Sequence, residues 1–161
     1  IRSTTERTTN FELDHGVLVP MYYLHQALPA DLPLVCLSFS WLPYTDHFTF
    51  GQAVSAAAVS SGKRVALVAS GDLSHRLIPE APAGYDPMGV EFDRRVVEAV
   101  RAQDADALLH LDPNSVKRAG ECGLRSIIVL FGALDGLNAT AEVLSYEWPF
   151  GVGYLVANLK F

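Results

Sequence analysis

Cysteine is nearly absent. The 161-residue chain has two, Cys36 and Cys122, too few for the disulfide framework of small extracellular domains. Cys36 lies in the apolar run 34–39, where a thiol behaves as a small hydrophobe; both are read as reduced thiols of a cytoplasmic protein. Long apolar runs are lacking too. The longest reach about ten residues against the roughly 20 that a membrane-spanning helix needs, so no membrane partner is expected, and no secretory leader is apparent. Positive charge is in short supply: 12 Lys plus Arg face 18 Asp plus Glu, for a net charge of −6 and a pI near 5.2. A surface that grips phosphate backbones needs the opposite balance, which excludes nucleic acid as the expected partner. A P-loop, a GxGxxG fingerprint, HExxH, paired zinc CxxC motifs and a nucleophile elbow are all missing, which removes most support for ATP, dinucleotide or hydrolase chemistry.

What is present is a chain for one core: 50% apolar and 19% charged residues, of a length that suits a single domain over 1–161 with a polar, flexible lead-in at 1–11. Two continuous apolar runs, 32–40 (LPLVCLSFS) and 64–69 (RVALVA), read as buried strands. Thr45 or Asp46 caps a helix that runs to Ser61 and stops at Gly62. A loop rich in Pro and Gly covers 78–89, long enough to be read as functional. From Val90, Phe92, Val96, Val97 and Val100 form one helical face, with Glu91, Asp93, Arg94 and Arg101 elsewhere. A short helix over 105–111 ends at Asp112-Pro113, a more apolar helix spans 121–134, and two strands follow at 139–148 and 153–159. Buried strands alternating with helices predict an α/β fold: a mostly parallel or mixed central sheet with helices on both faces. Sites in such sheets lie at the carboxyl ends of strands, which directs attention to the segment beyond Ala69.

There Ser70-Gly71-Asp72-Leu73-Ser74-His75 places Asp72 and His75 three apart, close enough to share a face. A carboxylate beside an imidazole fixes its tautomer and raises its basicity, as an acid–base catalyst requires; the plainer reading is a helix start capped by Asp72. Asp14-His15-Gly16 divides the same way, between a capped helix start and a catalytic His15. Glu121-Cys122-Gly123 opens an apolar helix. An acid there suits the helix dipole, and the alternative is a metal-binding carboxylate with Cys122 as a thiolate. His25, His47 and His110 have no spaced partner and read as solvated or core residues.

Taken in order, LDHGVLVPMYYL, SGDLSHRL, GYDP with EFD, AGECGLRS and PFGVGYLVA resemble the class III extradiol ring-cleavage dioxygenase superfamily. The likeness is to the catalytic B-subunit type of protocatechuate dioxygenases, and closer to their Memo-related bacterial branch; it runs from about Asp14 to the C-terminus. It implies a non-haem Fe(II) held by two histidines and a glutamate, an aromatic diol and O₂ as substrates, and cleavage of the ring outside the diol. It further implies His75 as the acid–base histidine with Asp72 beside it, His15 lining the substrate pocket, and Glu121 as the metal carboxylate with Cys122 as the alternative. The two iron-binding histidines are expected before Ile1, so the chain reads as the C-terminal two-thirds of a longer domain, inactive as a fragment. An unpaired sheet edge left by such a truncation invites association, hence a homodimer. The alternative function is a Memo-like protein that binds a metal or a partner without cleaving rings. Convergence of His15, His75 and Glu121 on one hollow is the structural expectation.

Overall fold

The computed structural model describes residues 13–29 and 31–161; the lead-in read over 1–11 lies outside them. The chain divides into two compact units, Ile1–Leu37 and Ser38–Phe161. In the first, Asp14 caps α1 (His15–Leu24), its carboxylate accepting from the Val17 amide at 3.2 Å. No α1 residue is buried, and Leu18, Val19, Tyr22 and Tyr23 are all at least half exposed.

The second unit carries α2 (Tyr44–Ser61), α3 (Pro87–Ala102), α4 (Ala105–Leu109), α5 (Pro113–Ala119), α6 (Leu124–Ala133), β1 (Thr140–Glu147) and β2 (Tyr154–Lys160). Gly62 ends α2 in the left-handed conformation, which glycine adopts without steric cost. Asp86 caps α3, with Pro87 in the first turn, so the Pro/Gly loop ends three residues earlier than the composition implied. The pair Asp112-Pro113, read as a stop, also starts something: Asp112 caps α5 and Pro113 opens it, as proline does at a first helical position. The core joins Phe92, Val96, Val97 and Val100 of α3 to Leu108, Val116, Leu124, Ile128 and Phe131.

The strands at the end of the chain form where expected, as an antiparallel pair in which Thr140 faces Lys160 and Glu147 faces Tyr154. The central sheet does not. Among the described residues the sheet has two strands, and neither 32–40 nor 64–69 is one of them. Both runs are irregular, with Leu34, Val35, Val65 and Val68 more than half exposed. An apolar run becomes a buried strand only when hydrogen-bonded neighbours flank it and side chains cover both faces, and the described residues supply neither. The described residues are therefore mixed α/β, with helices and a small antiparallel two-stranded sheet. No described helix is long and apolar enough to cross a membrane.

Candidate metal centre

The segment after Ala69 folds as a loop, not a helix, so Asp72 caps nothing. Its backbone is fixed on both sides instead. Leu73 N donates to Gly153 O and Gly153 N to Ser74 O, both at 2.8 Å, while His75 N reaches Ala119 O at 3.2 Å and Cys122 N reaches Asp72 O at 3.1 Å. The approach of 71–72 to 122–123 depends on two glycines. A Cβ on Gly71 would lie 2.5 Å from Gly123 Cα, and one on Gly123 would lie 2.9 Å from Asp72 O. Only hydrogen fits there, and the contact sets Asp72 and Cys122 side by side.

The result is a cluster within the second unit. One ligand atom each of Asp72, His75 and Cys122 lies within 4.8 Å of the other two. Asp72 Oδ2 is 3.4 Å from His75 Nε2, Cys122 Sγ is 3.9 Å from the same nitrogen, and the Asp72 amide donates to that sulfur at 3.2 Å. A Cys–His–Asp nucleophile relay would put thiol and carboxylate on opposite ring nitrogens. Here both face Nε2, which is the arrangement of a chelate.

Glu121 is not part of this group. Its Oε2 accepts from the Leu124 amide at 2.7 Å, satisfying one of the free N–H groups that open α6. Burial pushes its carboxyl above the usual range, opposed by those amides and by the charges of Arg125 and His75. Of the two alternatives at 121–122, the thiol is the one beside Asp72 and His75. His15 is the first residue of α1, in the other unit.

Cys122 is exposed as a residue, yet the protein around its sulfur, with Asp72 and Glu121 adding negative charge, pushes the thiol above its usual pKa of 9.0. At neutral pH without metal it is a thiol, a poor nucleophile. Iodoacetamide is expected to alkylate Cys122 slowly at pH 7 and faster well above pH 9.0, and a bound divalent metal is expected to block the reaction by occupying the sulfur lone pair. Peptide mass mapping of the Cys122 peptide against pH and added metal checks both.

Sequence reasoning left aside two groups, one behind the Ser74 backbone and one whose charge acts on Glu121. Asp93, placed off the apolar face of α3, is fully buried. Its Oδ1 accepts from the Ser74 amide at 2.8 Å and its Oδ2 from the Tyr146 hydroxyl at 2.7 Å. Burial raises its carboxyl to about 6, against the pull of the Tyr146 and Ser74 hydrogen bonds and of His75, while Glu121 adds to the rise. The folded state thus holds this proton more tightly than the unfolded chain, so ionisation costs stability as pH climbs from about 4 to 6 and the whole cost stands above that. The second group is Arg125, whose guanidinium lies 4.7 Å from the Trp41 ring centre and 5.0 Å from that of Tyr44, a cation–π stack.

A model of the family described as the catalytic LigB subunit of aromatic ring-opening dioxygenase matches residues 1–157. Protein CA_C1420 of Clostridium acetobutylicum is 37% identical over 152 residues, covering 94% of this chain and 32% of that protein. The 2-aminophenol 1,6-dioxygenase beta subunit of a Pseudomonas species is 28% identical over 171 residues, covering 94% of this chain and 55% of its own. The 3,4-dihydroxyphenylacetate 2,3-dioxygenase of Escherichia coli is 28% identical over 102 residues, covering 62% of this chain and 37% of that protein. The chain thus spans between about a third and about half of these relatives' lengths.

Proposed function

We propose, from the premise that the chain belongs to the family of catalytic LigB subunits of aromatic ring-opening dioxygenases, that the whole protein is a metal-dependent ring-opening dioxygenase. Its metal is Fe(II), its substrates are a catechol-type diol and O₂, and the ring opens outside the diol. The observation that carries the metal dependence is the Asp72–His75–Cys122 cluster, built on the loop after Ala69, while the ring-opening chemistry is drawn from the family match. Carboxylate, imidazole and thiolate together suit a first-row divalent metal, so these residues fit one, although the set differs from two histidines and a glutamate. When bound, the metal supplies a centre at which diol and O₂ meet, which no side chain can do.

His75 Nε2 has one lone pair, and two roles compete for it. In the ring-cleaving reading it carries the diol's proton, with Asp72 at 3.4 Å to hold the charged imidazole, Glu121 as the metal carboxylate and His15 lining the substrate side. In the second reading Nε2 is a ligand together with Asp72 and Cys122, and the protein binds a metal or a partner without cleaving rings. The sulfur 3.9 Å from Nε2 favours the second for holding metal. The family match over 1–157 supports one domain, and the apolar make-up of 32–40 and 64–69 supports their being strands of a central sheet in the whole protein. Cytoplasmic location and a homodimer belong to the same proposal.

The test is the intact protein reconstituted anaerobically with Fe(II) and offered catechols. Oxygen uptake with formation of a yellow ring-opened product is expected. Metal bound without oxygen uptake on any catechol would leave the second reading in its place.

A further inference from the structure

A charged carboxylate with no exposure is costly to keep unless it is hydrogen-bonded throughout, and Asp93 is spent on a single backbone amide and a single phenol. The amide belongs to Ser74, which directly precedes His75 and lies two residues after Asp72. Every polar group of Ser74 is engaged: N to Asp93, O to Gly153 N, Oγ donating to Ala119 O at 2.9 Å and accepting from Arg76 N at 3.0 Å. Ser74 is itself fully buried, so the segment carrying two of the three cluster residues is anchored from behind at this point.

The other partner is aimed by a defect in the sheet. Val143 pairs with Ala157 and Ser145 with Val156, leaving Leu144 as an extra residue in β1. Alternation along an unbroken strand would put Val143 and Tyr146 on opposite faces. With the bulge, both pack against the core and Leu144 is turned out, 57% exposed; re-aiming a side chain is what bulges beside sites do. Gly153 completes the fit, because a Cβ there would fall 2.0 Å from Asp93 Oδ2. The bulged β1, the Gly153 turn before β2 and the loop of the cluster thus converge on one carboxylate.

We propose that Asp93, held by Tyr146, is the positioning residue of the metal centre: through the Ser74 amide it fixes the loop so that Asp72 and His75 face Cys122. This rests on the reading of Asp72, His75 and Cys122 as metal ligands. A charge-assisted bond holds that amide more tightly than a neutral acceptor of the same shape, which explains a carboxylate where an amide would cost less.

The experiment uses the full-length protein and Co(II) as the probe, with Asp93→Asn and Tyr146→Phe. Asp93→Asn is expected to lower Co(II) affinity about 10–100-fold, the scale of losing a partner that orients a ligand, and to change the Co(II) visible spectrum, with the thermal midpoint at neutral pH unchanged or raised. Tyr146→Phe is expected to lower affinity less and in the same direction, and it decides the matter if Asp93→Asn does not fold. Folded variants that bind Co(II) with wild-type affinity and spectrum would overturn the proposal. If the wild-type protein takes up no Co(II), the ligand reading fails, and the alkylation rate of Cys122 in metal-free protein decides the positioning role. A several-fold slower rate in Asp93→Asn supports it, because loss of the Asp72 amide from the sulfur removes a donor that favours the thiolate; an unchanged or faster rate overturns it.

Discussion

Gly132→Ala is expected to destabilise the protein by about 3–5 kcal/mol, a large part of the roughly 5–15 kcal/mol that holds a typical domain together. Helices α2 and α6 cross backbone against backbone. A Cβ on Gly132 would lie 2.0 Å from Phe48 O, and one on Gly51 would lie 2.1 Å from Val129 O. Neither clash involves the far end of a flexible side chain, so relief requires the helices to part and the packing around buried Leu124, Ile128 and Phe131 to loosen. Because α6 begins just after Cys122, this loosening reaches the cluster too. The control is Gly136→Ala, where φ is +75° and nothing lies within 4 Å; only backbone strain of about 1 kcal/mol applies. Urea unfolding checks both, and a midpoint for Gly132→Ala no lower than for Gly136→Ala would refute the crossing.

His75→Ala and Cys122→Ala are each expected to weaken divalent-metal binding by more than the ~10–100-fold that outer-shell partners command, because each removes a ligand atom. Glu121→Gln keeps an acceptor for the Leu124 amide, so it is expected to fold normally and to retain metal. The ring-cleaving reading with Glu121 as ligand predicts the reverse pattern. Metal analysis after gel filtration separates the two, and circular dichroism confirms that each variant is folded.

Much of this is legible in the residues because local rules decide it. Gly62, Asp14 and the closing strands behave as their sequence dictates. So does the loop after Ala69, where Asp72 and His75 meet as their spacing allows. Contacts between distant segments are not legible. Pairing Cys122 with Asp72 requires Gly71 to touch Gly123, 52 positions later, and neither glycine announces its partner. Asp93 reads as lying off the apolar face although a contrary signal exists: it lies four and seven residues before Val97 and Val100, on the buried side of α3. Its charge argues for solvent, while burial with two hydrogen bonds prevails. The runs 32–40 and 64–69 show the opposite failure. Apolar composition records a need for cover, and the described residues do not meet it.

X-ray absorption of the zinc-loaded protein tests the metal centre most directly. One sulfur at about 2.3 Å with nitrogen and oxygen neighbours near 2.0–2.1 Å, the sulfur lost in Cys122→Ser, is the predicted result. A first shell of nitrogen and oxygen alone, identical in wild type and Cys122→Ser, would contradict a site built from Asp72, His75 and Cys122.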